Sequence, residues 1–112
     1  MARLRADIWV SAFLRRHAQL GRICVVSRKG DPDAGQIWVE IDHLNGTSSL
    51  LVPAHGDPDA ATDRRFSVLI DRQPNADTAQ RITREADFDP DLWVVTLEDR
   101  AGDHGLEVVS AQ

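Results

Sequence analysis

Apolar positions recur with two different periods along this chain, and the change from one to the other divides it into elements. Over residues 4–20, Ala6, Trp9, Val10, Phe13, His17 and Leu20 follow the i, i+3, i+4, i+7 spacing of one helical face. Ile8 and Leu14 widen that stripe, which suits packing across a sheet, and Gly21 supplies the stop. From Arg22 the period becomes two. Residues 22–29 read as a strand, and residues 36–44 alternate Ile37, Val39, Ile41 and His43 against Gln36, Trp38, Glu40 and Asp42, the signature of a half-buried antiparallel strand. Asn45-Gly46 predicts a two-residue type I′ hairpin turn, because that turn needs positive φ at both central residues. Residues 47–52 pair back, and Pro53 marks an end or an edge.

Residues 55–65 form a polar loop, and 66–71 a short strand with Phe66, Val68 and Ile70 on one face. A second helix is expected over 76–86, capped by Asn75 or Asp77, with a thin stripe of Ala79, Ile82 and Ala86 and Phe88 beyond its end. Pro90 then forces the chain out of the helix. The run Leu92 to Leu97 is apolar on both faces, Trp93, Val95 and Leu97 against Leu92 and Val94, so both sides require cover and the strand belongs near the middle of a sheet. Residues 104–109 are expected to pair with it as a terminal hairpin. The expected architecture is a single α+β domain over residues 1–112. Its order is α-β-β-β-β-α-β-β, a mostly antiparallel sheet of five or six strands with two helices packed on it.

Composition narrows the class without choosing a function. A chain of 112 residues with 42% hydrophobic and 28% charged positions can bury a core of its own. The one cysteine, Cys24, excludes an internal disulfide, and its neighbours Ile23, Val25 and Val26 make it a small buried hydrophobe of a reducing compartment. No secretory h-region or apolar run of membrane-spanning length occurs, which predicts a cytoplasmic protein with no membrane partner. The charge is uneven: residues 1–30 hold seven Lys/Arg and one acid, whereas the remainder is strongly acidic and brings the net charge to −5. A basic helix folding back on an acidic sheet edge accounts for this, and a nucleic-acid surface is the alternative.

Motifs that carry chemistry are missing. There is no nucleophile elbow, phosphate-binding glycine loop, dinucleotide fingerprint or paired metal-ligand spacing, so no catalytic residue, cofactor or metal is assigned. Asp-Pro-Asp occurs at 31–33, 57–59 and 89–91 and reads each time as turn chemistry. His55, Asp57, Asp59 and Asp63 could supply ligands from one loop but lack a calcium-loop pattern. His17 and His43 both fall on apolar faces, where a histidine serves as a satisfied core group unless the two meet, in which case a small enzyme or ligand site results. Arg15 and Arg16 on the first helix, with Arg64 and Arg65, are the basic candidates for a nucleic-acid-associated role. Trp38 is a large apolar group on an otherwise polar strand face, which calls for a covering helix or a homodimer contact.

Ile8-Trp-Val-Ser-Ala-Phe-Leu-Arg-Arg16 and Phe88-Asp-Pro-Asp-Leu-Trp-Val-Val95 resemble a small alphaproteobacterial family of about this length, a domain of unknown function. Asn45-Gly46-Thr47, Arg65-Phe66 and Glu98-Asp-Arg100 fit the same resemblance, which therefore runs over nearly the whole chain. It implies a cytoplasmic bacterial protein and brings no activity, cofactor or catalytic residue with it. The favoured expectation is a non-catalytic interaction module that self-associates or binds a protein partner, with Trp38 or the Trp93 strand at the contact.

Overall fold

A computed structural model describes residues 4–54 and 64–109. The elements run α1 (Ala6–Gln19), β1 (Ile23–Arg28), β2 (Ile37–Asp42), β3 (Thr47–Pro53), β4 (Phe66–Pro74), α2 (Asn75–Phe88) and β5 (Trp93–Glu98). The five strands form one sheet in the order β1-β5-β2-β3-β4. Three of its pairings are antiparallel, and β2 with β5 is parallel. The architecture is α+β as expected. The strand that follows α2 in sequence inserts between β1 and β2.

The alternation within β5 explains the three layers. Trp93, Val95 and Leu97 join Ile37, Val39 and Ile41 of β2 and meet Ala6, Val10 and Phe13 of α1. On the opposite face Leu92, Val94, Trp38 and Leu50 pack against Ile82 and Ala86 of α2. Trp9 and Phe13 stack with ring centroids 5.1 Å apart, which extends the α1 face towards Phe66. β2 is consequently buried on both faces, not on one, because a parallel neighbour and two helices enclose it. Leu20 and Ile8, included in the α1 stripe, are exposed.

The turn after β1 fixes the start of β5. Trp93 Nε1 donates to the Asp31 carbonyl at 2.7 Å, and Asp31 N–H donates to the Asp91 carbonyl at 3.0 Å. A Cβ at Gly30 or Gly35 would collide with the Asp91 carbonyl oxygen, so only glycine admits this approach. The same turn caps α1 through its backbone: Ala6 and Asp7 donate to the Asp33 and Pro32 carbonyls. Asp31-Pro32-Asp33 is turn chemistry, and it ties a helix to a strand.

Several local expectations are overturned. The terminal hairpin does not form, because β1 and β2 already occupy both edges of β5. Residues 104–109 cross to β4 instead, where Phe66 N–H donates to Glu107 O and Val109 N–H to Phe66 O. Leu106 packs against the α1-side core on the way. A sixth strand is therefore absent among the described residues. The Asn45-Gly46 turn is a three-residue loop with positive φ at Leu44 and Gly46, closed by His43 N–H to Thr47 O and by Asn45 Oδ1 accepting from Thr47. Neither Asn75 nor Asp77 caps α2; Pro74 occupies that position, and Asn75 N–H goes to Gly46 O. Cys24 is half-buried, since β1 is an edge strand. The 55–65 loop and its possible ligands His55, Asp57, Asp59 and Asp63 lie, up to residue 63, outside the described residues.

Truncating Trp93 to Ala removes both the buried indole and its bond to the turn. Equilibrium urea unfolding is expected to show a loss of about 3–5 kcal/mol. A midpoint equal to the parent's would contradict this account of β5.

Candidate functional site

The seven candidate residues do not assemble into one site. Trp38 is only 3% exposed; it lies beneath α2, with Arg81 stacked 5.0 Å from its ring centroid and its Nε1 donating to Gln36 Oε1 at 3.0 Å. The covering helix thus accounts for Trp38, and the homodimer contact expected there is corrected. Gln36 passes the chain of bonds on to Asp89 and Glu85. The Trp93 strand is likewise enclosed on both faces. Arg15 and Arg16 are exposed near the end of α1. Arg64 Nη2 donates to the Leu4 carbonyl before the start of that helix, and Arg65 pairs with Glu107 at 3.0 Å. Leu4 and Arg15 are separated by eleven positions, or roughly 16 Å of helix rise, so the arginines do not make one basic patch.

The two histidines come close to a meeting through a third. His17 is fully buried at the end of α1; its Nε2 lies 3.1 Å from the His104 carbonyl, and Arg22 Nη1 approaches its Nδ1 at 3.2 Å. A carbonyl can only accept and a guanidinium can only donate, so His17 is neutral with its proton on Nε2. Burial lowers its pKa first, and Arg22 and Arg16 add to this against the bond to His104. His104 in turn accepts the Leu106 N–H on Nδ1 at 3.0 Å, leaving its Nε2 as the protonated nitrogen, and burial lowers its pKa as well.

His43 lies just beyond the end of β2, 3% exposed. Its Nε2 is 2.9 Å from Ser49 Oγ on β3, and that oxygen also accepts the Arg72 N–H at 3.1 Å. Arg72 adopts φ of +51°, the left-handed region, inside β4. Its guanidinium then reaches across to the Ala101 carbonyl at 3.3 Å. Gly102, with φ of +76°, sits directly on the imidazole: a Cβ there would fall 3.0 Å from His43 Cε1. Between these groups is a cavity of about 120 Å³ lined by His43, Ser49, Asp71, Arg72, Gly102 and His104. His17 and His43 therefore share the 99–106 loop, one through the His104 backbone and the other through Gly102. Among the described residues no group of three or more His, Cys, Asp or Glu side chains is arranged to hold a metal.

Sequence reasoning missed Ser49, Arg72 and His104. Gly102 and Gly105, both at positive φ on either side of His104, were the available signal that this loop is shaped. Nothing in the local pattern distinguishes Arg72 from the other arginines.

Two further features were not foreseen. On the α2 face a polar chain runs from Ser27 to Thr96 at 2.6 Å and from Thr96 to Glu40 at 3.1 Å. Burial raises the Glu40 pKa, and the Thr96 bond opposes this. The outer strand β1 leaves Ile23, Val25 and Val26 exposed, Val25 at 49%. Phe88, at the end of α2, is 86% exposed. No helix of the described residues is long and apolar enough to cross a membrane.

The family described as "Protein of unknown function (DUF1491)" matches residues 4–107. The crystal structure of a DUF1491 family protein from Caulobacter crescentus CB15 is 36% identical, covers 96% of this chain and 98% of that one, and superposes with a TM-score of 0.79. A protein from A. tumefaciens solved in solution is 31% identical over 98% of both chains, with a TM-score of 0.83. An NMR structure of a DUF1491 family protein from Caulobacter crescentus CB15 is 37% identical over 96% of this chain and 97% of that one, also at 0.79. None of the curated proteins matches this sequence.

The lowered pKa values of His17 and His104 set a direction for stability against pH. The unfolded chain binds these protons near the ordinary value of 6.5, and the folded chain binds them only at lower pH. Their contribution is whole above 6.5 and is lost as pH falls through the folded values. Urea midpoints are expected to drop between neutral pH and pH about 5, with both ring signals titrating below 6.5 by NMR. A His17 ring that titrates at or above 6.5 would contradict the effect of burial assigned here. Burial also pushes the Cys24 thiol up to about 11, so a thiol reagent at mildly alkaline pH is expected to modify the folded protein far more slowly than the urea-unfolded chain.

Proposed function

Because the chain belongs to the DUF1491 family, whose description assigns no activity, we propose a role from its own surfaces: a non-catalytic interaction module of the bacterial cytoplasm that associates with a second copy of itself through β1. The observation that carries this reading is the exposed apolar edge at Ile23, Val25 and Val26. The register places Ile23 and Val25 on the face of Thr96 and Glu98, and Val26 on the face of Val95. Apolar side chains thus project on both sides of an edge whose outer backbone groups have no strand beside them among the described residues.

The opposite edge differs. On β4 the tail bridges Phe66, register shifts interrupt the pairing with β3, Arg72 is left-handed, and Pro74 ends the strand. Those are the devices by which an edge is made unattractive to further pairing. β1 has one such irregularity, between Val26 and Arg28, and none over Ile23–Val26.

A second copy fits this edge because a two-fold axis through β1 brings like residues together, as an isologous interface requires. Pairing about Val25 sets Cys24 opposite Val26. It also places the Arg22 end of one copy beside the Arg28–Lys29 end of the other. Arg22 is paired there with Asp103 at 3.0 Å and lies 3.9 Å from Asp99, so that end has more acids than bases, while Arg28 and Lys29 bring two cations to meet it. The charges therefore attract across the axis.

Sedimentation equilibrium at high micromolar concentration is expected to give the mass of two chains for the parent. Val25→Lys, which places a charge on an exposed position, is expected to give one chain with an unchanged far-UV circular dichroism spectrum. A monomeric parent, or a Val25→Lys variant that remains dimeric, overturns the reading.

A further inference from the structure

We propose that the cavity between His43, Arg72 and His104 is a binding site for one carboxylate group. The first ground is an unsatisfied buried nitrogen. His43 is 3% exposed, and its Nδ1 is buried without a hydrogen-bond partner. A buried polar atom left in that state is destabilising and calls for a partner that the described residues do not supply. The atom faces the space beside Gly102, where the absence of a side chain keeps the approach open.

The second ground is that the hydrogen-bond directions agree. Ser49 Oγ accepts the Arg72 N–H and keeps its own proton, which it can give to His43 Nε2. With Ser49 donating, the proton of the neutral imidazole lies on Nδ1, on the side of Gly102; a cationic ring presents the same N–H. His104 holds its Nδ1 as an acceptor for Leu106, so its remaining nitrogen is also a donor. Arg72 contributes a guanidinium, which only donates. Its Nη2 and His43 Nδ1 each lie 3.6 Å from the same point, the Cβ position of Gly102, so they are separated by at most twice that distance. Two charge-assisted hydrogen bonds of about 2.7–2.9 Å to a pair of oxygens on one carbon bridge such a gap.

The third ground is backbone strain. Arg72 is a non-glycine residue held at φ of +51° within a strand, and that conformation aims both its N–H and its side chain at this site. Left-handed geometry is disfavoured at such a residue and persists where surroundings enforce it.

Size and charge select the ligand. The cavity, about 120 Å³, holds the volume of about four liquid waters, too little for a drug-sized molecule and enough for a carboxylate head with a short stem. Asp71 also lines it and contributes a negative charge. Asp71 offsets the charge of Arg72, so a monoanion held by directed hydrogen bonds is favoured over a phosphate dianion, which meets the larger repulsion. The carboxylate can belong to a small free acid or to the C-terminus of a peptide.

The test follows His43 ring nitrogens and the Gly102 amide by NMR at fixed pH and ionic strength. Sodium acetate is titrated against sodium chloride, and a tetrapeptide with a free C-terminal carboxylate against its amide. Saturable shifts with acetate identify the free-acid source, and shifts with the free peptide alone identify a chain terminus. Arg72→Gln, an exposed position, is expected to weaken either by about tenfold or more while amides outside β4 and the 99–106 loop keep their positions, and His43→Gln is expected to abolish it. Shifts identical in chloride, no saturation, or unaltered binding in Arg72→Gln would leave the cavity as a place for water only and overturn the proposal.

Discussion

The parallel pairing of β2 with β5 is the constraint on which the other elements depend. Its register runs from Ile37 opposite Trp93 to Asp42 opposite Glu98, and each strand is buried on both faces over its first three residues. That half of the pair has to be covered on both sides. The two outer neighbours β1 and β3 satisfy its backbone, α1 covers one face and α2 the other. The Gly30–Gly35 turn sets the register by holding Trp93 and the Asp91 carbonyl against a backbone that no Cβ could approach. Because that same turn caps α1, a displacement of β5 is felt by the helix that lies over it.

The legible parts were those governed by local periodicity. The double-sided run Leu92 to Leu97 announced a covered strand near the sheet's middle, and the α1 stripe announced its buried face. What could not be read was pairing between distant segments. Nothing near residue 104 reveals that β5 has both edges taken, so a second apolar stretch beside it looks like a hairpin. Asn45-Gly46 carries the signal of a tight turn, yet the loop takes Leu44 into the left-handed region so that Ser48 and Ser49 face Thr78 and His43. Trp38 looked anomalous only while α2 was an isolated helix with a thin stripe. The stripe is supplemented by Thr78, a buried polar residue that periodicity of apolar residues does not count.

The candidate site was legible only in halves. His17 and His43 were conspicuous as imidazoles on apolar faces. Their partners Ser49, Arg72, Arg22 and His104 belong to residue types that occur throughout the chain, and only tertiary placement distinguishes them. The polar groups are not scattered: they concentrate where the ends of α1 and β2 meet the 99–106 loop. That loop is held by side chains reaching from three directions, Arg22 to Asp103, His17 to the His104 carbonyl and Arg72 to Ala101. A segment without regular structure is thereby given a defined shape by charge-assisted bonds.

The insertion of β5 between β1 and β2 also bears on how the chain reaches its fold. β1 and β2 are consecutive in sequence, yet the space between them stays open until residues 93–98 are available. During synthesis the β2–β3–β4 meander can pair locally, but the unfilled edge of β2 and the bare inner faces of α1 and α2 stay exposed until the last strand arrives. Closure is then a long-range event, slow in comparison with hairpin formation. The nascent chain is consequently most vulnerable to aggregation in the interval before β5 enters.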